Sequence, residues 1–267
     1  MTRGRRLFLA ANVAIYAFIL SAVVFVILLS FSPSGIFRMP PEGVSLVWYR
    51  KMLAYEPFWD AMTLSLIVAV GATATAMLLG LPAALALVRY RFPGRDLLAA
   101  MLMAPIVVPA IILGVGLLML YTQFFIENFD LAINGTVIGL LIGHAIVCLP
   151  WIVRVLIAGL QGLERDVEEA AMNLGARPLS VFWHVTLPLL RPAMLAAGIF
   201  AFIASFGNLE ISLMLSVPGT STLPVVILIY LDNYNDPSVA ALSTLMILGT
   251  AGVIVLADRW FGLAKLV

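Results

Sequence analysis

Lysine occurs only twice in this 267-residue chain, at Lys51 before Met52 and at Lys265 before Leu266. A phosphate-cradling P-loop needs Gly-Lys followed by Ser or Thr, so the chain holds no nucleotide site of that kind. Cysteine occurs once, as Cys148 inside an apolar run, which excludes a disulfide framework or a cysteine metal cluster within the chain. No His-Glu-x-x-His, no Gly-x-Ser-x-Gly and no paired aspartates lie within an apolar run, so the reacting groups of an intramembrane enzyme are missing and the chain reads as no enzyme. Charge is scarce as well. Only 11% of residues are Asp, Glu, Lys or Arg, against about a quarter in an ordinary globular domain. The formal net charge of +1 leaves no basic excess for a nucleic acid partner.

What fills the chain instead is apolar: 63% of residues are hydrophobic, gathered into runs between short clusters of charge. Runs of about 20 apolar residues suffice to cross about 30 Å of hydrocarbon as helices. The runs predict six spans, near 7–29, 61–87, 97–120, 136–158, 193–217 and 238–257. In lipid each backbone polar group must be satisfied within its own segment, so each span is predicted to be a helix and the bilayer is the first partner. The expected fold class is therefore an all-α membrane protein with six transmembrane helices. Its divisions are a first helix with an outer segment (1–60), a five-helix core (61–257) and a tail (258–267). Arg3, Arg5 and Arg6 precede the first run, whose 23 residues exceed the apolar core of a cleaved signal peptide, so it reads as a retained helix.

An even number of spans puts both ends on one side. Basic residues are held on the cytoplasmic side. With the ends inside, 12 of the 15 basic residues fall inside, leaving only Arg38, Arg50 and Lys51 outside. Glu127, Asp130, Asp232 and Asp236 then lie outside with no basic neighbour in sequence.

Two segments are not simple connectors. From 218 to 237 a nine-residue apolar run, Leu223 to Leu231, is bracketed by Pro218-Gly219 and Asn235-Asp236-Pro237. It is too short to span and reads as a short helix whose ends need cover. From 159 to 192 a cytoplasmic loop places Leu160, Leu163, Val167, Ala170, Ala171 and Leu174 at three- and four-residue steps, with Glu164, Arg165, Asp166 and Glu168 on other faces. That is an amphipathic helix. Gly175 stands where a left-handed residue closes a helix, and Pro178 suits the start of a second short helix that Pro188 is expected to end. Interfacial helices that lie on membranes are usually rich in Lys and Arg; this acidic one reads better as a surface for docking protein.

Within the loop, Glu169-Ala170-Ala171, three residues, Gly175, nine residues, Val185, one residue and Leu187-Pro188 resemble the EAA motif of permeases from binding-protein-dependent ABC importers, with Val185 where that family usually has Ile. The likeness takes in Arg89-Tyr90-Arg91-Phe92, Cys148-Leu149-Pro150 and Leu223-Pro224, and is similar to the second permease of spermidine/putrescine-type importers. The resemblance implies a type I importer permease fold in which the loop forms coupling helices, with Glu169, Ala170, Ala171, Gly175, Arg177, Leu187 and Pro188 facing the ATPase. It implies two ATP-binding subunits that hold ATP and Mg, no cofactor in this chain, a second permease that is a homologous different chain, and an extracytoplasmic substrate-binding protein.

Ionisable groups inside spans are rare and often functional. Glu210 and Asn208 in the fifth span, His144 in the fourth and Asp232 in the outer loop are the candidate pathway residues. Glu210 could instead pair with a neighbouring helix, and a lone histidine such as His144 often serves helix packing. Arg154 can snorkel to the interface, Tyr121 and Gln123 mark the outer end of the third helix, and glycines 71, 80, 114, 116, 139 and 143 suit close helix contact. A carboxylate in the pathway suits a polyamine or related amine. The chain has no acidic residue at Gly207-Asn208, where the polyamine branch leads one to expect it, so a zwitterionic amino compound fits as well. The remaining alternatives are an ion-coupled carrier or channel, or an importer permease for an amino acid derivative, an organophosphonate or iron.

Overall fold

The computed structural model describes residues 3–35, 43–234 and 236–261, and every element among them is helical. Arg38, Asn235 and Lys265, named above, lie outside the described residues. In chain order the helices are α1 (Arg3–Ser30), α2 (Val47–Leu53), α3 (Glu56–Arg89), α4 (Arg95–Val107), α5 (Ala110–Met119) and α6 (Glu127–Phe129). They continue with α7 (Val137–Gln161), α8 (Arg165–Asn173), α9 (Pro178–Val181), α10 (Leu187–Phe206), α11 (Glu210–Leu215), α12 (Leu223–Asn233) and α13 (Ser238–Phe261). Two π-helical stretches, Leu120–Ile126 and Phe182–Thr186, make α5–α6 and α9–α10 continuous.

Among the described residues five helices are long and apolar enough to cross a membrane: Phe8–Ser30, Glu56–Arg89, Ala110–Phe129, Val137–Gln161 and Pro178–Phe206. The sixth expected span falls on α13, whose apolar part is the shorter Ser238–Gly252. Four expectations need correction. The third span is not 97–120. Val108 is extended (φ −76°, ψ 128°) because Pro109 follows it and disfavours the helical conformation, so α4 stops and a new helix runs to Phe129. Tyr121 is consequently not at a helix end. It is buried, and its hydroxyl donates to the Gly139 carbonyl at 3.1 Å. The fifth span is not 193–217 either. It begins at Pro178 and stops at Phe206, and Pro188 does not end the preceding helix. The π-helical stretch before Pro188 shows why: the N–H that proline lacks is one an α-helix would need, and a locally widened register tolerates its absence.

Two compact units are present. One joins Met1–Trp59 with Val226–Gly252; the other joins Asp60–Val225 with Val253–Val267. In the second unit α3, α7 and α10 meet around Ala72, Ala76, Ala84, Ile152, Leu156 and Leu190. Cys148, Ile152, Leu156 and Leu160 recur every four residues and so share one face of α7. The alanines of α3 and α10 let the backbones approach, which replaces the hydrophobic drive that lipid cannot supply. Five of the six glycines expected at helix contacts have a neighbour within 3 Å of where a Cβ would lie; Gly116 has open space around it.

Gly159 serves the same purpose and was not singled out from the sequence. A Cβ there would meet the Ala193 Cβ at 2.5 Å and Leu190 Cδ1 at 3.2 Å, so α7 and α10 touch at this point. Gly159→Val is expected to force them apart at a cost of about 1–3 kcal/mol. A lowered melting temperature and a reduced monodisperse yield of the detergent-purified protein would report it. An unchanged melting temperature would mean that helix spacing is set elsewhere.

The short apolar run of the 218–237 segment forms α12, as expected. Its first turn is covered from within the same unit, where the buried Leu223 N–H donates to Ser65 Oγ of α3 at 2.7 Å.

Candidate functional site

The loop helix begins later than its apolar pattern suggested. Leu160 belongs to α7 and is fully buried in the core, and Leu163 sits in the connector, so α8 comprises only Arg165–Asn173. Val167, Ala170 and Leu174 remain on one side of this helix and all three are exposed, Leu174 by 90%. Leu179, at 70% exposure, extends the apolar surface beyond the turn. The face packed against the rest of the chain instead carries the half-buried Glu168 and Ala171. The apolar side therefore points away from its own protein, the reverse of an ordinary surface helix.

The turn that closes α8 is a Schellman motif. Gly175 takes φ 90°, its N–H donates to the Met172 carbonyl at 2.9 Å, and the Ala176 N–H donates to the Ala171 carbonyl at 3.1 Å. Nothing lies within 4 Å of a Cβ built on Gly175, so backbone conformation and not space selects glycine there. Glu169, Ala170 and Arg177 are exposed, while Leu187 and Pro188 are half-buried at the entry to α10.

A polar joint lies beneath the helix. Glu168 Oε1 accepts from an Arg89 terminal nitrogen at 3.1 Å and from Thr186 Oγ1 at 2.8 Å. Arg89 and Glu168 side chains are 13% and 16% exposed, and Thr186 is buried. The Arg165 guanidinium donates to the Arg89 carbonyl at 3.1 Å, and Arg95 Nε to the Leu87 carbonyl at 2.8 Å, so two arginines satisfy carbonyls at the C-terminus of α3. A cleft of about 520 Å³ opens beside the joint, with Tyr90, Glu169, Met172 and Phe182 among its walls. Sequence reasoning missed this joint. The sequence sets Glu168 among several polar-face residues and Arg89 in the Arg89-Tyr90-Arg91-Phe92 stretch; only the packing of α8 against the end of α3 and the residue before α10 turns Glu168 inward and leaves Glu169 outward.

The candidate pathway residues separate into two groups. His144 is buried, with Nδ1 sharing a hydrogen bond with Ser205 Oγ at 2.8 Å and Nε2 with Ser212 Oγ at 2.9 Å. Its ring bridges the break between α10 and α11, so both nitrogens are engaged in helix packing. Asn208 lies at that break, where its Oδ1 accepts from the Ile211 N–H at 2.9 Å and caps α11. Glu210, next along, begins α11 and is exposed. Asp232 is also exposed.

Asp236 is not without a basic neighbour. Lys51, 185 residues away in sequence, donates to its Oδ2 at 2.6 Å, and the Tyr230 hydroxyl donates to the same carboxylate at 3.1 Å. The hydrogen bond to Asp236 raises the Lys51 pKa above its ordinary value. Burial pushes the Asp236 carboxyl up, but hydrogen bonds from Lys51, Ser238 and Tyr230 outweigh it and leave the pKa below the usual carboxylate value. Among the described residues no group of His, Cys, Asp and Glu has the makings of a metal site.

Membrane-length helices and a loop helix with its apolar face turned outward are features of a membrane protein that docks another protein. The chain belongs to the family of binding-protein-dependent transport system inner membrane components, whose model matches residues 76–263. It is 33% identical over 240 residues to the putrescine transport system permease protein PotI of Escherichia coli (strain K12), covering 90% of this chain and 84% of that protein. It is 30% identical over 234 residues to the spermidine/putrescine transport system permease protein PotC of the same strain, covering 88% and 86%. A chain of a crystallised bacterial ABC transporter involved in the import of the acidic polysaccharide alginate shares the fold, with a TM-score of 0.69 and 21% identity over 98% of this chain and 99% of that one. The protein is thus an inner-membrane permease component of a binding-protein-dependent ABC importer.

Proposed function

We propose that this permease imports an amine-bearing solute, with a separate ATPase gripping the 159–192 loop. The observation that carries the reading is the outward apolar face of Val167, Ala170 and Leu174, continued by Leu179. Apolar surface of this kind on an acidic helix is unsuited to anionic lipid and well suited to a protein cleft. Two ATP-binding subunits hold ATP and Mg and close on each other. The docked loops follow, and the helices continuous with them turn the cavity outward. Glu169, Ala170, Ala171, Gly175, Arg177, Leu187 and Pro188 form the coupling set, and both termini lie in the cytoplasm.

One chain supplies half of a symmetric conduit, so a second, homologous permease completes it, and a binding protein delivers solute to the outer loops. Glu210 is exposed on this chain. Acidic side chains within spans almost always face a water-filled cavity or a protein neighbour rather than lipid, so its surroundings in the assembly are the pathway or the second permease. A carboxylate there suits an ammonium group. Two relatives are named for putrescine and spermidine, which carry such groups.

The test is uptake into proteoliposomes holding the full complex with its binding protein. Labelled putrescine is expected to accumulate only with ATP, and a tag on this chain should copurify the ATPase. Uptake by this chain alone, driven by an ion gradient, would favour the carrier reading. A binding protein that retains only a purely anionic ligand would overturn the amine reading.

A further inference from the structure

We propose that Glu168, Arg89 and Thr186 form the joint through which movement of the loop reaches the membrane helices, with Glu168 as its central positioning residue. The inference rests on the docking reading of the 159–192 loop and adds to it a route for force inside the permease.

The loop helix α8 is tied to the chain on either side by short connectors, residues 162–164 before it and 174–177 after it. Both contain a glycine, and the second turns through the left-handed Gly175, so both are points where a pull bends the chain before it moves a helix. Glu168 bypasses them. Its single Oε1 atom ties α8 to the end of α3 through Arg89, 79 residues away in sequence, and to the residue just before α10 through Thr186. No covalent connection shorter than a whole span links α8 to α3. The Arg165 hydrogen bond to the Arg89 carbonyl adds a second tie between the same two helices.

The burial of this joint makes it stiff. A charge-assisted hydrogen bond away from bulk water is roughly twice as strong as a neutral one, and the three side chains are at most 16% exposed. Among the described residues the buried Arg89 Nε has no acceptor, so that nitrogen does not draw the guanidinium away from Glu168. Thr186 lies in the π-helical stretch before Pro188, so the pull enters α10 at the irregular turn by which the helix accommodates its proline. The neighbouring Glu169 remains exposed for the ATPase. The two adjacent glutamates thereby divide the work, one facing the partner and one the permease's own helices.

The experiment uses the reconstituted complex and compares Glu168→Gln, Thr186→Val and the exchange Arg89→Glu with Glu168→Arg. Glutamine keeps the acceptor oxygen and removes the charge, and valine keeps the shape and removes the hydroxyl. Three quantities are read: ATP hydrolysis, uptake of labelled putrescine or whichever amine the wild-type complex carries, and cross-linking to the ATPase from Leu174→Cys. The native Cys148 is buried and does not compete. Glu168→Gln is expected to lower solute carried per ATP about tenfold at nearly unchanged hydrolysis and cross-linking, with partial recovery in the exchanged pair. Uptake and hydrolysis falling in proportion, or uptake staying normal, would overturn the joint. Loss of the cross-link in Glu168→Gln would reduce the residue to a support of the docking face. Absence of the cross-link in the otherwise unaltered complex would remove the docking reading itself.

Discussion

Gly175→Asp is expected to leave the protein inserted and its helices packed while ATP-driven uptake falls to background, a loss of a hundredfold or more. Gly175 is exposed and a Cβ there meets no atom within 4 Å, so the substitution creates no clash in the core. What changes is the turn. At φ 90° a side chain costs about 1–2 kcal/mol, too little to unfold the bundle but enough to shift the Schellman turn that aims α8 and returns the chain to α9. Aspartate also sets a new negative charge beside Leu174, in the middle of the apolar face offered to the ATPase. The two causes can be separated. Asparagine tolerates the left-handed region as aspartate does and carries no charge, so Gly175→Asn is expected to keep a substantial part of the uptake, whereas Gly175→Val disturbs the backbone alone. Membrane insertion should match the parent protein in all three, and thermal melting should fall by no more than about 10 °C, without loss of the folded bundle. Uptake at the parental rate by Gly175→Asp would end the coupling assignment of this turn.

The second large effect is expected at Glu210. Its removal from a pathway that handles an ammonium group costs a charge-assisted hydrogen bond, about 1.5–3 kcal/mol, or roughly 10–100-fold in uptake at limiting solute. Glu210→Gln keeps the size of the side chain and its place in the first turn of α11, where the loss of charge at a helix start costs a few tenths of a kcal/mol. Neither melting temperature nor copurification of the ATPase is therefore expected to change. Asn208 gives the contrast. Its side chain caps α11 through the Ile211 N–H, so Asn208→Ala should cost about 1 kcal/mol of stability. Normal amine uptake by Glu210→Gln would show that this carboxylate faces a protein partner and not the solute.

The helix break beside these residues explains why local pattern misjudged the fifth span. Gly207 and Asn208 are helix stop and start signals, but they lie in an apolar run whose hydropathy outweighs them when the run is read as a whole. His144, from another helix, then fastens both sides of the break through Ser205 and Ser212. A histidine in a span announces its chemistry without announcing its partners; packing is the commoner role of a lone histidine there, and both ring nitrogens of His144 have hydroxyl partners.

Partition between lipid and water needs only composition and length, and a helix cap needs only neighbours within a turn or two. For that reason the membrane class, most of the span positions, the short helix at Leu223 and the left-handed Gly175 were legible in the order of residues, while the family was legible through the resemblance of Glu169-Ala170-Ala171, Gly175 and Leu187-Pro188 to a known motif. Which side of a helix faces inward is a different kind of quantity. Each residue turns a helix by about 100°, so the order of residues says which of them share a face of α8 but not which face meets the rest of the chain. Pairing between distant segments depends further on how helices seat against one another. The exposure of Glu169, the inward Glu168 on Arg89 and Thr186, and the Lys51–Asp236 pair 185 residues apart were therefore decided by packing.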